Sequence, residues 1–293
     1  MQALARAALF LTAGFAATAV VAQNIPAQPV RTVEVKPGIA VLYGVGGNVG
    51  VAYGDDGTLL VDDQFAPMVP GLQDAVAELG ASPARFVVNT HWHWDHAAGN
   101  ALFGAAGATI LAHESVRDRI AAGGSVMGIV SEPGVPEALP VVTYQQSVTL
   151  HLNGDSLDVM YVGGGHTDGD SVVFWREANV AHLGDMFMYE HGWPVIDVES
   201  GGNVLTFLAG LDFAIERLND DTIVIPGHGE LASKADVIAF RDMIAAGTHN
   251  IAALKEQGLT LEEAVAAKPV EGLSPGNVYV QDDAFVEAVW MSL

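Results

Sequence analysis

No cysteine occurs among the 293 residues. That excludes disulfide staples, thiolate metal ligands and cysteine nucleophiles, leaving a packed core for stability and histidine or carboxylate for metal chemistry. Basic residues are scarce. Twelve Lys and Arg stand against 35 Asp and Glu, for a net charge of −23. Such a chain repels phosphate backbones, so no nucleic-acid partner is expected. The one G-x-S-x-G string, Gly272 to Gly276, follows no strand pattern and has proline after its serine, so no serine-hydrolase elbow is read. The glycines of Tyr43–Asn48 and Gly163–Gly169 precede no helical pattern, so no dinucleotide fingerprint forms. Half the residues are hydrophobic, which excludes a disordered chain.

Long apolar runs are missing too, except at the N terminus. There Arg6 precedes an uncharged stretch from Ala7 to Val21, and Val20-Val21-Ala22 offers a small-residue cleavage site before Gln23. Residues 1–22 therefore read as a secretory signal peptide, and Gln23, Asn24, Pro26 and Pro29 end the run before it suits a membrane span. The expectation is a periplasmic or secreted protein, cleaved near Ala22, with no stable membrane insertion afterwards. Residues 23–293 read as a single domain, because no linker divides them. The sequence leaves the oligomeric state open.

Strand-like runs at Val30–Val35, Ile39–Tyr43, Val49–Tyr53 and Thr58–Val61 are separated by glycine and aspartate turns. Val69–Leu79 has helical spacing and stops at Gly80. Further strands are expected at 85–90, 108–112, 147–152, 157–162, 171–175, 180–183 and 222–225. Helices are expected at 114–121, 204–218, 234–257 and 260–267, with Gly247 a candidate break and Thr260 with Glu263 a capping box. Residues 123–140, rich in glycine and proline, read as a loop insertion. Mixed sheets covered by helices suit an α/β sandwich.

The chemistry concentrates in His91-Trp92-His93-Trp94-Asp95-His96, directly after an apolar, β-branched strand. Three imidazoles and a carboxylate at a strand end form a donor set for zinc. Three more segments place a metal-competent residue at a strand end beside glycine: Gly165-His166, Gly184-Asp185 and Gly227-His228-Gly229. Loops at the ends of sheet strands are where α/β proteins build sites.

With these residues in this order, the chain resembles the metallo-β-lactamase superfamily. The fold implied is an αβ/βα four-layer sandwich: two mixed β-sheets packed face to face, with helices outside. The resemblance implies two Zn2+ per chain, the first on His91, His93 and His166, the second on Asp95, His96 and His228, with Asp185 bridging. It implies a metallo-hydrolase in which metal-bound hydroxide attacks the carbonyl of an ester, lactone, thioester or β-lactam. Asp185 stands where cysteine-using β-lactamases have a thiolate, which weighs against a dedicated β-lactamase. Asp95 also lies where it can accept the proton of the attacking water. The alternative on the same fold is a non-haem iron oxidoreductase, because histidine plus carboxylate with open positions also suits iron.

Orienting partners for the histidines are sought in backbone carbonyls, Thr90, Asp62 and Asp168. His113, His151 and His182 read as structural, and His249 as solvated. His191 and Trp92 are candidate substrate contacts. The loops at 44–48, 123–140 and 186–202 carry no Lys or Arg. That points to a small-molecule substrate without negative charge, a neutral ester or lactone before a carboxylate-bearing β-lactam.

Overall fold

The computed structural model describes residues 27–293. The leader read in residues 1–22 lies outside the described residues. Neighbouring residues of a strand point to opposite faces, and in the central strands of the first sheet both faces are buried. Along Ile39–Tyr43, Ile39 and Val41 enter one core cluster while Ala40 and Leu42 enter another. The same split separates Leu59 and Val61 from Leu60, and Val88 from Val87. Strands apolar on both faces belong to the inner layers of a sandwich.

One sheet has seven strands in the order Arg31–Lys36, Ile39–Tyr43, Val49–Ala52, Thr58–Val61, Ala84–Val88, Thr109–His113 and Val142–Tyr144. Pairing is antiparallel up to Thr58–Val61 and parallel beyond it. The second sheet orders Ser147–Leu152, Asp155–Tyr161, Ser171–Trp175, Val180–His182 and Ile223–Ile225, with only the last pair parallel. Between the sheets, Val41, Val61, Val88 and Leu111 meet Leu157, Val159, Val173 and Trp175.

The outer face of the first sheet is covered by Val69–Glu78, through Val69, Leu72 and Val76, and by Phe103 of Asn100–Ala105. Four helices cover the second: Val204–Arg217, Lys234–Glu256, Leu261–Ala266 and Asp282–Ser292. The fold is the four-layer α/β sandwich with mixed sheets.

Several elements depart from the sequence reading. Lys234–Glu256 runs unbroken through Gly247. A side chain there would meet Phe285 and Trp193 at 2.9–3.1 Å, so the glycine admits neighbours and does not end the helix. Within 123–140, Gly124–Val126 and Ile129–Ser131 form a small hairpin. The C-terminal helix Asp282–Ser292 and the short helices Trp94–Ala97 and Asn100–Ala105 were not signalled by periodicity. Each is too short, or too uniformly apolar, to show a clear 3.6-residue period. Among the described residues, no helix is long and apolar enough to cross a membrane.

Candidate metal centre

Strand ends bring the seven residues together. His91 to His96 follow Ala84–Val88 of the first sheet, and His166, Asp185 and His228 follow strands of the second. The loop 44–48 closes one side. Gly47 N–H donates to the Asp95 carbonyl at 2.9 Å and Asn48 N–H to the Gly227 carbonyl at 2.7 Å. The Asn48 amide also donates to the Pro226 and Gly229 carbonyls. At Gly227 a Cβ would fall 2.0 Å from Asp185 Oδ1, so only glycine lets this carboxylate stand there.

Two donor groups result. His91, His93, His166 and Asp185 form one, and Asp95, His96 and His228 the other, the donor atoms of each lying within 4.8 Å of one another. His93 Nδ1 and His166 Nε2 are 2.8 Å apart. His96 Nε2 and His228 Nε2 are 3.2 Å apart, and His228 Nε2 is 3.1 Å from Asp95 Oδ2. Asp185 reaches both groups. Its Oδ2 lies 3.5 Å from His166 Nε2 and 4.0 Å from His91 Nε2, and its Oδ1 3.1 Å from His96 Nε2.

Each histidine with a mapped outer nitrogen uses it to donate away from the cluster. His91 Nδ1 donates to Thr90 Oγ1 at 3.0 Å, and that hydroxyl donates on to Asp62. His93 Nε2 donates to Asp197 Oδ2 at 2.9 Å, His96 Nδ1 to Asp62 Oδ2 at 2.8 Å, and His166 Nδ1 to the Val195 carbonyl at 2.7 Å. The outward protons leave the inward nitrogens of His91, His93 and His166 as bare lone pairs. Buried lone pairs converging without a donor are costly unless a cation takes them. His91 Nε2 and Asp185 Oδ1 are buried with no hydrogen-bond partner, which is the signature of a ligand atom.

Charge follows the same division. Burial lowers His91 well below the usual imidazole value, and the neighbouring histidines lower it further. Burial also takes His166 down, to about 4, with His93 adding to the effect. For His96 burial acts in the same direction, but the Asp185, Asp95 and Asp62 carboxylates outweigh it and raise the ring well above its ordinary value. His228 is raised by Asp185 and Asp95, again against burial. Burial opposes ionisation of Asp95, yet His96 and His228 bring it down to about 2. His91 and His166 thus favour the neutral imidazole, and the second group makes a field that draws positive charge. Both match what a divalent cation requires.

Not every sequence candidate joins the cluster. Asp168 orients no histidine and instead pairs with Arg119 at 2.8 Å. Trp92 is only 4% exposed and packs with Ala112, Val116 and Val126. With Trp94 it lines an apolar cavity of about 370 Å3 that none of the seven ligand residues touches, so it supports His93 from behind and does not face a substrate at the ligands. His191 does stand at the site, its ring 6.1 Å from that of His228. His113 stacks on Tyr161, His182 donates to the Asn48 carbonyl, and His151 meets Ser156. His249 is exposed. Sequence reasoning missed Asp197 and the Val195 carbonyl. The one available signal was a lone aspartate ending the apolar run Pro194-Val195-Ile196, inside a loop already marked for specificity.

Comparison with known proteins agrees with this geometry. A metallo-beta-lactamase type 2 from Bacteroides fragilis is 26% identical over 173 residues, 59% of this chain and 63% of that protein. A hydroxyacylglutathione hydrolase from Polaromonas sp. is 32% identical over 143 residues, 48% of this chain and 47% of the relative. The chain thus spans less than two thirds of the length of these curated relatives. The crystal structure of DIM-1 metallo-beta-lactamase superposes with a TM-score of 0.62 at 21% identity, covering 75% of this chain and 98% of that one. The profile of the metallo-beta-lactamase superfamily matches residues 42–228, from the second strand to the last candidate ligand, and the chain belongs to that superfamily.

Proposed function

We propose that this protein is an exported two-zinc hydrolase that breaks the acyl C–O single bond of an uncharged ester or lactone, the hydroxyl of water going to the carbonyl carbon and the proton to the departing alkoxide. The observation that carries the reading is the outward hydrogen bonding of His91, His93 and His166, which leaves bare nitrogens converging beside the Asp95, His96 and His228 group. His91, His93 and His166 would hold one ion, Asp95, His96 and His228 the other, and Asp185 would give one oxygen to each. When bound, a zinc pair supplies hydroxide near neutral pH and polarises a carbonyl.

The chain's own residues do the rest. Asp62 and Asp197 fix the rings of His96 and His93, and their carboxylates offset cation charge. Asp95, held ionised with its Oδ2 beside His228, is the base that takes the proton released as water adds to the carbonyl. Four carboxylates, Asp62, Asp95, Asp185 and Asp197, balance two divalent cations. The site therefore gives an anionic substrate no net attraction, and a chain of net charge −23 repels it. Both curated relatives carry names of hydrolases.

The test is a metal assay with a hydrolysis panel on the purified protein: an aryl ester, a lactone, a thioester and a chromogenic β-lactam. Two zinc per chain with turnover of the ester or lactone is expected. Stoichiometric iron with oxygen consumption would overturn the reading, as would Asp185→Ala and His228→Ala variants keeping full metal content and rate.

A further inference from the structure

The segment between Leu261–Ala266 and Asp282–Ser292 runs outside both sheets, yet it is fastened beside the metal centre. Val278 N–H donates to the His191 carbonyl at 3.1 Å, and Gly192 and Asn277 form an antiparallel bridge. Gly192 has φ +85°, and a Cβ there would lie 1.6 Å from the Gly276 carbonyl oxygen, so the segment rests directly on the backbone of the 189–193 turn. Behind it, the Asn277 amide and the Trp193 indole both donate to Asp282 Oδ1, at 3.0 and 2.7 Å. Trp193 is itself stacked on Phe285 in the helical core, with ring centroids 4.0 Å apart.

This anchoring delivers one side chain to the site. The Tyr279 ring lies flat on His191, with centroids 5.1 Å apart and planes 11° apart, and meets the His228 ring at 5.4 Å and 63°. His191 cannot swing freely, because its Nδ1 donates to the Tyr189 carbonyl at 2.5 Å. The ring is still 42% exposed. A large aromatic, fixed from behind and open in front beside converging polar groups, is the make-up of a small-molecule pocket wall.

We propose that Tyr279 is a specificity-determining residue of the metal centre: its ring, held on His191, is the wall against which the apolar acyl part of an uncharged ester or lactone lies while the carbonyl sits on the His228 side. This rests on the hydrolase reading above. It selects for size and neutrality of the acyl group, because the wall offers a π face and no cation.

The experiment uses the full zinc-loaded chain with acetyl and octanoyl aryl esters, and calorimetric binding of a hydrolysis-inert octyl ketone. In Tyr279→Ala, KM for the octanoyl ester should rise about tenfold, and that for the acetyl ester far less, the scale for losing apolar contact in a pocket. The two kcat values should change little, and ketone affinity should fall by the same tenfold. Tyr279→Phe should keep most of the size preference. His151→Ala, a remote surface change, serves as control. The proposal fails if Tyr279→Ala leaves the octanoyl preference intact, or if it lowers both kcat values together with zinc content, as a merely structural strap would. Cleavage of no ester alongside a tenfold loss of ketone affinity would sink the hydrolase reading and leave Tyr279 as a ligand wall.

Discussion

Asp62 is fully buried and adopts φ +66°, a region sparsely visited outside glycine and tolerated best by Asp and Asn. From there its two oxygens accept from the Thr90 amide at 2.7 Å, the Thr90 hydroxyl at 2.8 Å and His96 at 2.8 Å. Asp62→Ala would leave three buried donors unpaired. It should cost about 3 kcal/mol in urea unfolding and weaken metal binding roughly 10–100-fold in chelator competition. Asp197→Ala removes the His93 contact and the cap on the Ser200 N–H. It should match the loss of metal affinity with a smaller loss of stability. A third expectation follows from the signs of the titration shifts. His96 and His228 are raised by carboxylates, whereas His91 and His166 are lowered by burial. Zinc entering the second group should displace more protons than zinc entering the first, so calorimetry of the metal-free protein should show two binding events with unequal buffer dependence. The ligands were legible because their side-chain types are diagnostic in order and spacing. Their orienting partners were not, since Asp197 meets His93 across 104 residues and only the folded chain says so.

Elements differ in how openly the sequence declares them. The strand Ile39–Tyr43 and the capped helix Leu261–Ala266 matched their sequence signals closely, the latter through the reciprocal Thr260–Glu263 cap. Three-residue strands such as Gly124–Val126 give periodicity no length to work with. The strap at 268–281 has no repeat at all, because its place comes from contacts with Gly192 and Asp282. That dependence is testable. Gly192→Ala meets both an unfavourable φ and the Gly276 carbonyl. It should speed amide exchange at Val278 while leaving the sheet amides protected.

At the scale of the whole molecule, the sandwich was expected from mixed strands interleaved with helices, and its two outer cores account for the doubly apolar strands. The charge of −23 acts at this scale too. Raising salt from about 10 mM to about 500 mM shortens the Debye length from roughly 30 Å to a few Å and should increase kcat/KM for an anionic ester several-fold while leaving a neutral ester unchanged. Equal salt response of both would count against field-controlled access. The centre draws His91 to His96 from one sheet and His166, Asp185 and His228 from the other. A cation pair gripped from both sides, as proposed, would work as a rivet, tying the halves of a chain that has no sulfur bridge to do it. Saturating metal at about a hundredfold over its dissociation constant adds about 2.7 kcal/mol per ion to the folded state, so removing both by chelation should lower the thermal midpoint by about 10–20 °C. In a compartment where metal is scarce, this protein would then lose its grip on its own two halves at the same moment that it loses its chemistry.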